Sequence, residues 1–229
     1  MIPADRPFDV PAPPPSPPVL PAATTAPPVP NRRTSPQAPR LLREKVLLVT
    51  AAIRGVSVWG WHTNFSVTDE SGAQIGSGTG LGRGGQIMKK GFALKDPGGA
   101  VVVEVRPVGK QSVVTDATAS EIGRFGRQAQ GVKGVIKPTY AVQSGGALLA
   151  EVLTETHRVN RWAVCGPGGT EIANIVDITK IGLFRSTSAT NRIEVDGEAH
   201  RNLRALILAI GTDLAAFRMK YYNRPRGAR

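Results

Sequence analysis

The chain of 229 residues is poor in the residues that most often announce chemistry. It has a single cysteine, Cys165, which excludes an internal disulfide and fits a reducing compartment. Its three histidines, His62, His157 and His200, stand far apart without metal-ligand spacing. No Ser-His-Asp arrangement can be assembled around them. Aromatic residues make up only 5% of the chain. No apolar run reaches the roughly 18 to 20 residues of a spanning helix. The N-terminus, MIPADRPFDV, lacks the basic start and apolar stretch of a secretory signal. These shortages point to a non-enzymatic cytoplasmic protein with no cofactor and no metal.

Positive charge is plentiful. The formal net charge is +12, a balance that favours polyanions, whether anionic lipid or nucleic acid. Proline is also plentiful, with 19 residues in the chain, and it is concentrated in PAPPPSPPVLPAATTAPPVP near the start. Proline fixes φ and removes a hydrogen-bond donor, so residues 1–40 read as a disordered or polyproline-II arm. Such an arm is a spacer, or a ligand for a proline-binding protein partner.

Regular structure is expected over 41–222. Lys45 to Ile53 (KVLLVTAAI) reads as a buried strand, and VSVWGWHTNFSV as one or two strands around Gly60. A unit then recurs: strand, polar turn, strand. Its turns fall at Ser71-Gly72, Pro97-Gly98-Gly99, Ala117 to Ser120, Gly145-Gly146 and Pro167-Gly168-Gly169, followed by a last strand from Asn191 to Val195, with further strand residues possible near 179–186. Turns of this kind between alternating strands are the hairpin signature. About a dozen antiparallel strands result. An open sheet of that size needs its edges protected, and closure into a barrel removes them. Such a barrel is too wide for its own side chains to fill. The stretch at 200–222, HRNLRALILAIGTDLAAFRMKYY, is apolar on nearly every face from Leu203 to Phe217 and reads as a helix buried on all sides. The fold expected is therefore all-β: a barrel of about twelve antiparallel strands closed around a central C-terminal helix, followed by a basic tail at 223–229.

Few residues invite a chemical role. Gly76 to Gly85 contains a G-x-G-x-x-G, but a dinucleotide site needs a helix after it, and the sequence from Gln86 reads as a strand. A basic loop remains, in which Arg83, Lys89 and Lys90 are candidates to meet a phosphorylated group, with glycine amides as added donors. A second basic cluster follows the helix: Arg218, Lys220, Arg224, Arg226 and Arg229, beside Tyr221 and Tyr222. Cations with tyrosines suit a membrane interface, and they also complement the C-terminal end of a helix dipole. Asp69, Asp96, Asp116 and Asp196 sit at expected turns, where aspartate caps backbone amides. Asp213 is a carboxylate within the apolar helix, and pairing with an arginine at a barrel mouth would offset its burial.

The hairpin series resembles a known family. Its carriers are F-x-V-x-D-x-x-G-x-x-I-G from Phe65 to Gly76, F-x-L-x-D-x-x-G from Phe92 to Gly99, and VEVRP ending at Pro107. The later W-A-V at Trp162 and G-T-E-I-A-x-I from Gly169 belong to it, as does L-R-A-L-I-L-A-x-x-x-D from Leu203 to Asp213. Together they are similar to the phospholipid scramblase-related and LURP-one-related proteins of the tubby C-terminal-like superfamily, over about residues 44 to 222. The resemblance implies a twelve-stranded barrel around a hydrophobic helix, and a protein that binds anionic phospholipid at a membrane surface as a peripheral component. It does not carry over calcium-triggered, lipid-anchored scrambling. The cysteine cluster of the animal scramblases is missing; Glu194, Asp196 and Glu198 are flanked by Arg192 and His200, no fourth or bidentate ligand follows them, and Asp196-Gly197 is an ordinary turn. Two alternatives stand beside this expectation: an adaptor that docks a partner through its proline-rich arm, and a nucleic-acid binder that uses its basic surface.

Overall fold

The computed structural model describes residues 38–57, 60–81, 90–130, 137–154, 160–179 and 188–222. Twelve strands follow one another: β1 (Val46–Ser57), β2 (Gly60–Asp69), β3 (Gln74–Gly80), β4 (Phe92–Lys95), β5 (Val101–Val108) and β6 (Gln111–Thr115), then β7 (Glu121–Gln130), β8 (Lys137–Ser144), β9 (Ala147–Thr154), β10 (Arg161–Cys165), β11 (Glu171–Asp177) and β12 (Ser188–Val195). Each pairs antiparallel with its neighbour in sequence, and β1 pairs with β12 to close the barrel. The helix α1 (Arg201–Tyr222) comes last.

Alternation along the strands decides which face is inside. In β12 every second residue, from Ala189 to Val195, is buried, the period-two pattern of a sheet with one wet face. The inward side chains are mostly Val, Ile, Leu and Phe. They leave a lumen that α1 fills, with every residue from Arg204 to Ala216 buried. Leu206, Ile207, Leu208, Ile210 and Leu214 are at most 1% exposed, and burial of each such side chain contributes about 1.5–3 kcal/mol. The helix packs chiefly on β12, β1 and β7. At Gly211 the fit is closest: a Cβ there would lie 2.3 Å from Ile193 Cδ1. The sequence places the start of order at Leu41. The structure starts slightly earlier, with a 3-10 turn at Arg40–Leu42 whose Leu41 and Leu42 are buried in the same core.

The five tight hairpins share a construction. The strand register shifts just before each turn, as at Val67/Thr68 and Leu94/Lys95. In four of them the first turn residue bonds both its third and its fourth successor, as Asp69 does with Gly72 and Ala73. The residue before the last of these is left-handed: Gly72, Gly99, Ala119 and Gly169. Asp69, Asp96 and Asp116 also accept backbone amides on their carboxylates, as their turn positions lead one to expect.

The barrel thus has two unlike ends. The five tight hairpins and the link from β12 to α1 lie at one end. The connections β1–β2, β3–β4, β5–β6, β7–β8, β9–β10 and β11–β12 lie at the other, where α1 finishes.

Candidate functional site

The interior is occupied, and its polar groups serve mainly to hold α1. Arg204, buried in the first turns of the helix, donates to the carbonyls of Asp196 (2.7 Å), Ala199 (2.9 Å), Glu44 (3.0 Å) and Gly197 (3.1 Å). Its guanidinium fork clasps the β12–α1 link and the start of β1 at the tight-turn end. His200 caps the helix, its Nδ1 accepting the Asn202 amide at 3.3 Å. Further along, Asn191 Nδ2 donates to the Gly211 carbonyl at 2.8 Å. The Thr212 hydroxyl turns back to the Leu208 carbonyl at 2.8 Å.

Asp213 is buried, and the hydroxyl of Tyr140 donates to it at 3.0 Å. This phenol is a partner that the sequence analysis did not name. The alternation of β8, which turns Tyr140 inward, was the signal that could have found the phenol. Beside Asp213 opens a cleft of about 150 Å³, bordered by Phe92, Val105, Phe125 and the turn at Gly109-Lys110.

Of the basic residues expected to meet an anion, the structure describes only some. Arg83, Lys89, Arg224 and Arg226 lie outside the described residues, as do the expected strand from Gln86 and the possible strand residues from 180 to 186. Lys220 belongs to the last turns of α1. Arg218 is placed in the wall of the core, not on the surface. Its side chain is 13% exposed, Nε lies 3.5 Å from the buried Asp177 carboxylate, and the guanidinium stacks 5.1 Å from the centre of the Trp162 ring. It fastens the end of the helix to β10 and β11. Lys90 is exposed. It precedes Gly91, whose carbonyl accepts the Leu81 amide at 2.8 Å. That glycine is left-handed and passes so near β5 that a Cβ would strike the Val105 carbonyl. The backbone beside Lys90 is therefore held firmly at the end where α1 finishes. Lys110, which sequence reasoning did not single out, is exposed at the tip of the β5–β6 turn at this same end.

The described residues at the two ends carry different charged side chains. The tight turns and the β12–α1 link contain Glu70, Asp96, Asp116, Asp196 and Glu198, and basic residues adjoin them: Arg40 pairs with Asp69, Lys45 lies beside Gly197, and Arg201 acts on Asp116. Among the described residues, the connections at the opposite end, the basic end, carry the exposed Lys90 and Lys110. The two carboxylates described near this end, Asp177 and Asp213, are buried. The outer wall, by contrast, is compensated: Arg161 pairs with Glu171 at 2.9 Å, and Arg192 pairs with Glu194 and Glu70. Glu194 also accepts from Asn174 at 2.8 Å. Among the described residues no three His, Cys, Asp or Glu side chains converge as metal ligands, and no helix is long and apolar enough to cross a membrane. A comparison with models of known protein families finds none that matches the chain, and a search of curated protein sequences finds no match either.

Proposed function

We propose that this chain is a non-enzymatic protein of the scramblase-related, tubby-like kind that binds anionic phospholipid as a peripheral component of a membrane surface. The observation that carries this reading is a pair of exposed lysines, Lys90 and Lys110, from separate parts of the sequence. They lie at the end of the barrel where α1 finishes, and the two carboxylates described near that end, Asp177 and Asp213, are buried. Lys90 and Lys110 there make no ion pair with any described residue, unlike the arginines of the wall. Each basic residue held near an anionic surface contributes about 1 kcal/mol, and the attraction is screened by salt.

Flotation with phosphatidylserine-containing vesicles, compared with pure phosphatidylcholine vesicles, tests the reading. Binding to the first and not the second, weakening as salt rises, is the expected result. Absence of binding to either at moderate salt overturns it. A duplex DNA bound more tightly than the anionic vesicles at the same salt would assign the basic end to nucleic acid instead.

A further inference from the structure

The described residues include four large apolar side chains that are well exposed: Val108, Leu148, Leu153 and Ile178. A single exposed leucine needs no explanation, but the placement of these four is uneven. Val108, 57% exposed, is the last residue of β5, next to the Gly109-Lys110 turn. Leu153, 41% exposed, is next to last in β9. Ile178, 42% exposed, immediately follows β11. All three are at the basic end. Only Leu148, 47% exposed, belongs to the tight-turn end.

In the barrel order β9 and β11 flank β10, while β5 and β11 lie six strands apart in a ring of twelve, on opposite sides. A flat surface laid along the side of the barrel cannot touch both Val108 and Ile178. A surface laid across the end can touch all three. Charge suits the same arrangement, because Val108 lies two residues from Lys110 and Lys90 shares the rim. Exposed apolar side chains sharing an end with exposed lysines fit a layer that is anionic outside and oily just beneath. A nucleic-acid backbone gives the apolar side chains nothing to enter.

From this arrangement we infer that the barrel docks end-on to an anionic bilayer, with Val108, Leu153 and Ile178 entering the boundary between headgroups and acyl chains while Lys90 and Lys110 meet the headgroups. The inference rests on the membrane-surface reading above and adds to it an orientation and an apolar component. The lysine part weakens with salt, and the apolar part persists.

The test uses the full chain and vesicles of equimolar phosphatidylserine and phosphatidylcholine. Val108→Ser/Ile178→Ser is expected to bind about tenfold more weakly, because two apolar insertions are lost, and to lose the binding that remains at high salt. Leu148→Ser, an equivalent change at the opposite end, is expected to bind as the unaltered chain does. A second measurement does not depend on affinity. With Cys165 replaced by serine, a polarity-sensitive dye on Val108→Cys is expected to shift to the blue when vesicles are added, and the same dye on Leu148→Cys is expected not to shift. Loss of binding in Leu148→Ser equal to that in the rim variant, or a dye at position 108 that stays in water on bound vesicles, overturns end-on insertion while leaving surface binding intact. If the unaltered chain fails to bind the vesicles, the membrane reading falls first and the orientation with it.

Discussion

The hydroxyl of Tyr140 donates a 3.0 Å hydrogen bond to the Asp213 carboxylate, joining β8 to the middle of α1 inside the barrel. Both residues are buried, Tyr140 at 1% exposure. An aspartate in the wall of an apolar core is tolerable only while donors surround it. Tyr140→Phe removes one donor and leaves the shape of the core unchanged. Hydrogen bonds to charged groups contribute about 1.5–3 kcal/mol, so the variant is expected to unfold in less urea by about that amount, with an unaltered denaturant slope. An unchanged midpoint would show that the bond contributes nothing to holding the helix.

Much of this fold was legible in the chain because two periods disagree so clearly. The hairpins repeat a turn with glycine or aspartate at set places, and the last long segment has no polar face. A dozen strands and one helix without a wet side leave the closed barrel as the simplest arrangement. Single polar residues were harder to read. Arg204 looks in sequence like an interruption of the apolar helix, and the structure makes it a clasp for backbone carbonyls on both sides of the barrel closure. Arg218 looks like part of a basic tail, yet it is drawn inward by Asp177 and Trp162. Neither partner is near in sequence, so no local pattern announces the pairing. That Lys90 and Lys110 share one barrel end is likewise invisible along the chain, because alternate connections of an up-and-down barrel fall at the same end.

Ala119 occupies, at φ 61°, the left-handed turn position that glycine holds at Gly72, Gly99 and Gly169. For a residue with a Cβ this conformation costs about 1–2 kcal/mol. Glycine would remove that cost but add about 0.4–1 kcal/mol of unfolded-state entropy. The strain is the larger, so Ala119→Gly is expected to raise stability by about 0.5–1 kcal/mol, measured as a higher midpoint in urea. A lower midpoint would mean that the β6–β7 turn accommodates alanine without strain.

At Gly211 the two influences on a helix residue oppose each other. Alanine is favoured over glycine by about 1 kcal/mol in a helix interior. Its Cβ, however, would sit 2.3 Å from Ile193 Cδ1 and 2.9 Å from Cγ1, with Ile175 Cδ1 behind at 3.9 Å. Ile193 is fully buried, so it can turn aside only by disturbing its neighbours, and overpacking of this kind costs about 1–3 kcal/mol. Gly211→Ala is therefore expected to lower the unfolding midpoint. Adding Ile193→Val removes the nearest methyl, and the double variant is expected to recover most of the loss. A failure of that rescue would place the obstruction in the backbone of α1 against β12 instead.

Two turn aspartates give the stability a dependence on acid. The Ser71 hydroxyl holds the Asp69 carboxyl below the ordinary value of 3.8, helped by the Ala73 amide and the Arg40 guanidinium. The Thr118 hydroxyl does the same for Asp116, with the amides of Thr118 and Ser120. Because the folded values are depressed, the unfolded chain takes up protons first as pH falls. The stabilisation is complete above the ordinary value and is lost as pH drops through the folded one. The double variant Asp69→Asn/Asp116→Asn keeps an acceptor in each turn but cannot titrate. It is expected to be less stable than the parent at pH 7 and to show a flatter decline in acid, so that the two unfolding midpoints converge at low pH. Parallel curves would mean that both carboxylates meet the same surroundings in the unfolded chain as in the turns.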